Sequence, residues 1–236
     1  MSSKITILCR QIHEILAYND QLIYGFADIG GAEMPLPYPG LKKGIIMGVP
    51  LSKISVRKLP QGISREYIDE CYRANTELDL LGVQLEDTLI NEGYNAISLK
   101  SSTSDYDPET FKTIFSHKKA ATRAGIGWIG KSGLLVTKKF GSALRLNTVL
   151  TDAPLPTNGA PVTRSECGEC TECTTGCSAS AIKGVQWNTS LNRDDLIDVN
   201  DCYKECVDAA EKVGFEYPLC GKCIAACPWT IKYIQS

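Results

Sequence analysis

Nine of the eleven cysteines lie after residue 166, and the first four of these, Cys167, Cys170, Cys173 and Cys177, form a C-x2-C-x2-C-x3-C run. That spacing belongs to iron–sulfur ligation: three closely spaced thiolates wrap one corner of a cubane, while the fourth points away to a neighbouring cluster. One complete run therefore implies two clusters. A second run, Cys220, Cys223 and Cys227 followed by Pro228, is incomplete, because the first position of a full repeat is Tyr217. One ligand must come from elsewhere, and Cys202 or Cys206 can supply it.

The exchange of fourth cysteines between two-cluster ferredoxin runs gives the assignment. Cys167, Cys170, Cys173 and Cys227 hold one [4Fe–4S] cluster; Cys177, Cys220, Cys223 and Cys202 hold the other, with Cys206 the substitute for Cys202. Zinc is the competing metal, but tetrahedral zinc sites draw on two separated C-x2-C pairs, often with His, and no His lies beyond His117.

The 236 residues and the uneven cysteine distribution argue for two domains. Cys9 and Cys71 stand alone in the first two-thirds and read as small buried hydrophobes. The first apolar stretch, Lys4 to Leu16, is broken by Arg10, Gln11, His13 and Glu14; it does not read as a signal peptide, and no stretch reaches membrane-spanning length. Free thiolates for clusters need a reducing, anaerobic setting, so a cytoplasmic protein is expected. The net charge of −2 conceals an asymmetry: Thr110 to Thr151 contains no Asp or Glu but holds Lys112, Lys118, Lys119, Arg123, Lys131, Lys138, Lys139 and Arg145. Such a segment suits either a solvated basic face or an anionic ligand such as a cofactor phosphate. The overall acidic balance disfavours nonspecific nucleic-acid binding.

Apolar periodicity predicts a helix over about 4–17, strands over 22–29 and 44–49, and a long helix over about 64–91 with Ser64 as N-cap and Gly93 as stop. Its core face is Ile68, Tyr72, Leu78, Leu81, Leu85 and Leu89. A strand over 96–99, a helix over about 109–123, and strands over 134–137 and 144–151 follow. This mixture gives an α/β or α+β first domain. Asp152 to Pro161, with three prolines, is the expected linker, so the boundaries are 1–158 and 159–236.

The segment Arg123-Ala-Gly-Ile-Gly-Trp-Ile-Gly-Lys131, then Leu134-Leu-Val, Phe140-Gly-Ser142 and Leu150-Thr-Asp-Ala-Pro-Leu-Pro156, together with the two cysteine runs, resembles the epoxyqueuosine reductase family. The matching covers residues about 117–183 and 220–229. The resemblance implies an α+β protein, a nitroreductase-like α/β domain followed by a ferredoxin-like double-cluster domain, with cobalamin beside two [4Fe–4S] clusters. It places Arg123, Gly125, Gly127, Trp128, Gly130 and Lys131 at the cofactor: glycines for close backbone approach, two fixed charges and an aromatic plane.

The sequence departs from the family in three places. Family members continue past the last cysteine into a helical transfer-RNA-binding region, whereas this sequence ends nine residues after Cys227, so no tRNA binding is expected. The family's proton-donating Asp, carried over without gaps, falls on Phe111. The first run ends in Cys177-Ser178 where the family has Pro. Candidate proton donors near the matched segment are Asp105, Tyr106, Asp107 and His117, each with an alternative reading as a surface or capping residue.

The implied activity is reductive. A low-potential donor such as ferredoxin or flavodoxin feeds two clusters, which reduce a bound corrinoid in an oxidoreductase acting on a small molecule. Two alternatives stay open: an electron-transfer or activating protein without substrate chemistry of its own, and a flavin (FMN) reductase with Arg123 and Lys131 near the phosphate. A homodimer that covers the cofactor face is also expected.

Overall fold

The computed structural model describes residues 3–30, 38–102, 106–157 and 159–236. Helices and strands are mixed along the chain, giving an α+β protein. It packs as two compact units: Met1–Pro50 with Ala74–Ile126 and Arg145–Val162, and Leu51–Arg73 with Gly127–Leu144 and Thr163–Ser236.

The first unit is built on a four-stranded sheet in the order β1-β2-β6-β3: β1 (Ile23–Asp28), β2 (Lys43–Pro50), β6 (Leu144–Thr151) and β3 (Ala96–Leu99). β1 and β2 run antiparallel with Gly25 opposite Ile46, and β3 pairs antiparallel with β6, Ile97 opposite Leu150. Every residue of β2 after Lys43 is buried, the pattern of an inner strand covered on both faces. Helix α1 (Ser3–Leu16) buries Ile5, Leu8, Ile12 and Leu16, the i, i+3, i+4 stripe its sequence predicts.

Helix α3 (Arg65–Asn91) contributes Ala74, Leu78, Leu81, Leu85 and Leu89 to the core of this unit. Its ends follow the sequence. The Tyr67 amide donates to the Ser64 hydroxyl at 3.4 Å. Gly93, with φ +83°, lets the Tyr94 amide reach back to the Leu89 carbonyl, the closure that glycine makes after a helix. Tyr72, expected on the core face, is instead 48% exposed, and Tyr67, Ile68 and Cys71 take the buried positions of that turn.

The helix expected over 109–123 is shorter. Asp107 accepts from the Glu109 and Thr110 amides, and Phe111 adopts φ +51°. This Asp-headed turn competes successfully with helix. Helix α4 (His117–Arg123) begins only after Ser116, whose hydroxyl caps the Lys119 amide. The proline-bearing stretch after β6 packs on the unit: Ala153 and Leu155 are buried, and the Val162 amide donates to the Thr122 carbonyl.

The second unit contains α2 (Lys53–Lys58), the short hairpin β4 (Trp128–Ile129) and β5 (Leu135–Val136), and the helices α5 (Glu172–Thr175), α6 (Arg193–Leu196), α7 (Val199–Glu211), α8 (Lys222–Ala226) and α9 (Pro228–Gln235). In the hairpin Trp128 lies opposite Val136. Helix α9 docks through Tyr233, edge-on to Phe140 and donating to the Leu51 carbonyl at 2.9 Å. Trp229 meets the buried Trp128 edge-on, with ring centroids 5.5 Å apart. At Gly141 an added Cβ would stand 2.2 Å from the Thr230 backbone nitrogen; there the main chain must pass directly against α9. Among the described residues no helix is long and apolar enough to cross a membrane.

Candidate functional site

All nine cysteines after residue 166 are free thiols and half-buried. Short elements hold them. α5 carries Cys173; α7, capped by Asp198 accepting from the Asn200 and Asp201 amides, carries Cys202 and Cys206 one turn apart. Cys223 lies in α8, and Cys227 sits in extended conformation between α8 and α9, with Pro228 opening the latter.

Their electrostatic neighbours fall into two overlapping groups. Burial pushes the Cys173 thiol up, followed by the charges of Cys167, Cys227 and Cys170. Burial likewise pushes Cys223 up to about 12, followed by Cys220, Cys202, Cys173 and Cys177. Cys206 is raised by its hydrogen bond with Cys202, then by burial, Cys202 itself, Cys220 and Cys223. Thus Cys227 acts on the first run, Cys173 and Cys177 both act on Cys223 of the second, and α7 presents both Cys202 and Cys206 to the second set.

Thiols raised this way resist ionising alone, and a metal group that accepts thiolates removes the penalty. Among the described residues no three His, Cys, Asp or Glu side chains converge closely enough to hold a single metal ion. The buried Thr174 hydroxyl, beside Cys173, has no partner of hydrogen-bonding geometry and pulls the Cys173 thiol opposite to its other neighbours. A hydroxyl so placed suits a sulfur acceptor, and thiols raised by burial and by one another are the donor chemistry that an iron–sulfur cluster takes. Thr174 lay within the cysteine run, but no sequence signal distinguished it from Thr171 or Thr175.

The glycine-rich segment is arranged differently from an open cradle. A Cβ on Gly127 would lie 2.2 Å from the Val136 carbonyl oxygen, and one on Gly130 2.8 Å from Val136 Cγ2. A Cβ on Gly125, whose φ is +73°, would lie 3.0 Å from the Ala160 carbonyl oxygen. The close approaches are therefore made by the chain itself. Trp128 is 1% exposed and its indole N–H has no partner among the described residues. Arg123 Nε donates to the Asp28 carbonyl at 2.6 Å, and Lys131 Nζ to the Cys170 carbonyl at 2.9 Å. The other cations of the acid-free segment are also dispersed: Lys138 pairs with Glu166, and Arg145 with Asn75 and Ser102. At Gly125, Gly127 and Gly130 the structure shows contacts within the chain rather than an open cradle.

Of the candidate proton donors, Asp105 lies outside the described residues. Tyr106 stacks on Phe111. Asp107 is occupied by its turn: the Thr110 amide, with the Thr110 hydroxyl, holds its carboxyl below the usual range. His117 accepts at Nδ1 from Thr148 (2.9 Å) and donates from Nε2 to the Lys100 carbonyl (3.1 Å), which fixes the neutral Nε2–H tautomer. Burial lowers its pKa, with Arg145 acting the same way and the Lys100 carbonyl and Asp79 opposing. A ring so committed is a poor acid at neutral pH.

The sign of this shift gives a stability prediction. A histidine whose folded pKa lies below its unfolded value near 6.5 binds fewer protons when folded. Its contribution is present above about pH 6.5 and is lost as pH falls towards the folded pKa. Thermal midpoints should drop over that window in the native protein and less in His117→Gln; equal slopes in the two proteins would remove the assignment.

His117 also borders a cleft of about 440 Å³ in the first unit, with Tyr38, Ser98, Lys100, Ser101 and Phe115 among its lining. The volume lies within the range of small-molecule sites, about 300–1,000 Å³. None of these residues except His117 stood out in the sequence; the available signal was the serine cluster where β3 ends.

The architecture places the chain in a structural class. It superposes with a TM-score of 0.70 over 95% of its length on a reductive dehalogenase whose structure is described as suggesting a mechanism for B12-dependent dehalogenation, at 16% identity and over 32% of that chain. Against an epoxyqueuosine reductase solved with an epoxyqueuosine-modified tRNA-Tyr stem loop the score is 0.61, at 18% identity, covering 96% of this chain and 66% of that one. No family model matches the chain. In sequence it is 31% identical over 134 residues to the epoxyqueuosine reductase of Synechococcus sp. (strain RCC307), and 29% identical over 127 residues to that of Synechocystis sp. (strain ATCC 27184 / PCC 6803 / Kazusa). Each alignment covers 50% of this chain, which spans 36% and 40% of those relatives' lengths. Over half of its length the chain is thus similar in sequence to curated epoxyqueuosine reductases, of which it spans less than half.

Proposed function

We propose that the chain is an iron–sulfur redox protein, a reductase of the epoxyqueuosine reductase-like family, that holds two [4Fe–4S] clusters and delivers low-potential electrons to a corrinoid. The observation that supports the cluster reading is the mutual influence of the two runs: Cys227 acts with Cys167 and Cys170 on Cys173, and Cys173 and Cys177 act with Cys220 and Cys202 on Cys223. Bound cubanes supply one-electron chemistry at potentials that reach about −700 mV across proteins.

The chain's own residues hold and shield the sites. Lys222 Nζ donates to Ser178 Oγ (2.7 Å) and Glu205 Oε1 (2.8 Å), tying α8 to α7 and to the residue after Cys177. Trp128, Trp187 and Leu196 bury apolar surface in the same unit, which limits water and stabilises folding.

A second reading is favoured by the closed segment 125–131: an electron-transfer protein that serves a partner's cofactor and binds no corrinoid itself. Anaerobic reconstitution followed by iron, sulfide and cobalt analysis separates the readings. About eight irons per chain are expected for two cubanes, and about four or fewer, or zinc in their place, would end the proposal. About one cobalt per chain supports the corrinoid reading; eight irons without cobalt support the electron-transfer reading.

A further inference from the structure

Lys131 follows β4 and retains only 7% of its surface exposed. Its ammonium donates to the carbonyl of Cys170, in the middle of the first cysteine run, and among the described residues no carboxylate pairs with it. The preceding turn packs beside the same loop, since a Cβ on Gly130 would lie in ordinary contact, 3.6 Å, with Cys167 Sγ. A buried cation without an anion is costly, and a neutral donor would satisfy one carbonyl without that cost. Four thiolates around a cubane carry net negative charge, so the missing anion is the group those cysteines hold.

The second set lacks this arrangement. Its nearby cation, Lys222, is already paired with Glu205 at 2.8 Å. Around the first set, Glu166, Glu169 and Glu172 are exposed, where water screens them, and Glu166 is engaged by Lys138. Among the described residues, then, the first set has beside it a buried cation with no carboxylate partner, and the second a cation shared with Glu205.

We propose that Lys131 is the internal countercharge of the set Cys167, Cys170, Cys173 and Cys227, and that it raises the reduction potential of the cluster held there above that of the second set. Reduction adds one electron, taken in the test from dithionite, to a group that already carries negative charge. A fixed cation nearby stabilises the reduced form more than the oxidised one, because net charge and hydrogen bonding are among the terms that set these potentials. The inference rests on the cluster reading above.

The test is a mediated redox titration followed by electron paramagnetic resonance on reconstituted native protein, Lys131→Gln and Lys131→Arg, each first assayed for iron and sulfide. Iron content judges the cluster reading; the titration judges Lys131 separately. Gln keeps a donor for the Cys170 carbonyl without the charge. It should move one of the two reduction waves to more negative potential by at least about tenfold in the reduced-to-oxidised ratio, about 59 mV for one electron, and leave the other in place. Arg should stay near the native value. Both waves unmoved in Gln, or equal shifts in Gln and Arg, would overturn the proposal. Should Gln fail to hold clusters, the native protein still decides: the wave perturbed by Cys170→Ser must be the higher of the two, and finding it the lower overturns the assignment.

Discussion

Replacing Cys227 with alanine should remove about four of about eight irons per chain, leaving one cubane in place. Cys227 belongs by sequence to the second run, yet its charge acts on Cys173 of the first. The cluster lost should therefore be the one that Cys167, Cys170 and Cys173 share, while Cys177, Cys220, Cys223 and α7 retain theirs. Cys9→Ala is the control, because that thiol sits on α1, in the unit that holds none of the nine later cysteines; its iron content should match the native protein. Anaerobic metal analysis reads both variants, and unchanged iron in Cys227→Ala would falsify the crossed assignment. With Cys202 and Cys206 both beside Cys220 and Cys223, the same assay on single alanine variants of each identifies the eighth ligand.

Gly127→Ala should cost about 3 kcal/mol of stability whether or not any cofactor is present. The added methyl would be 2.2 Å from the Val136 carbonyl oxygen and 3.0 Å from its carbon, and these are backbone atoms held in register by the Trp128–Val136 pairing. Neither partner can rotate away. Gly168→Ala is a useful contrast: nothing lies within 4 Å of its Cβ position, and only its φ of +55° opposes substitution, at about 1–2 kcal/mol. Chemical denaturation of the cofactor-free chain compares the two. A native-like Gly127→Ala would mean that the hairpin is not closed as described and that the glycine serves something else.

The elements most legible in the sequence were those whose residues carry two agreeing signals. α3 has a hydrophobic stripe, a Ser at its start and a Gly at its end, and apart from Tyr72 in the stripe they act as expected. β2 and β6 have apolar runs of strand length. The C-x2-C-x2-C-x3-C spacing is local too, and it names the cysteines of the proposed ligand sets without help from the rest of the fold.

Other features depend on tertiary partners that no local pattern contains. Gly127 and Gly130 in a Gly-x-Gly-x-x-Gly arrangement look the same whether the atom that approaches them is a ligand's or Val136's. Tyr72 has the spacing of a core residue, yet Cys71 and Ile68 fill that turn. The stretch before His117 has helical composition, but the Asp107 side chain captures two amides, and the backbone turns at Phe111. The charge of Lys131 was visible; that it is buried against Cys170 was not, since the two are distant in sequence and joined only by packing.

Leu51–Arg73 and Gly127–Leu144 belong to the same compact unit as the cysteines. Trp229, Thr230 and Tyr233 find their counterparts in Trp128, Gly141, Phe140 and Leu51. The cysteine-bearing stretch is consequently not a portable cassette. Grafted elsewhere without those two inserts, it would bring its thiols but leave its aromatic anchors facing solvent, so any lineage that exchanged this part had to move three separate stretches of coding sequence together.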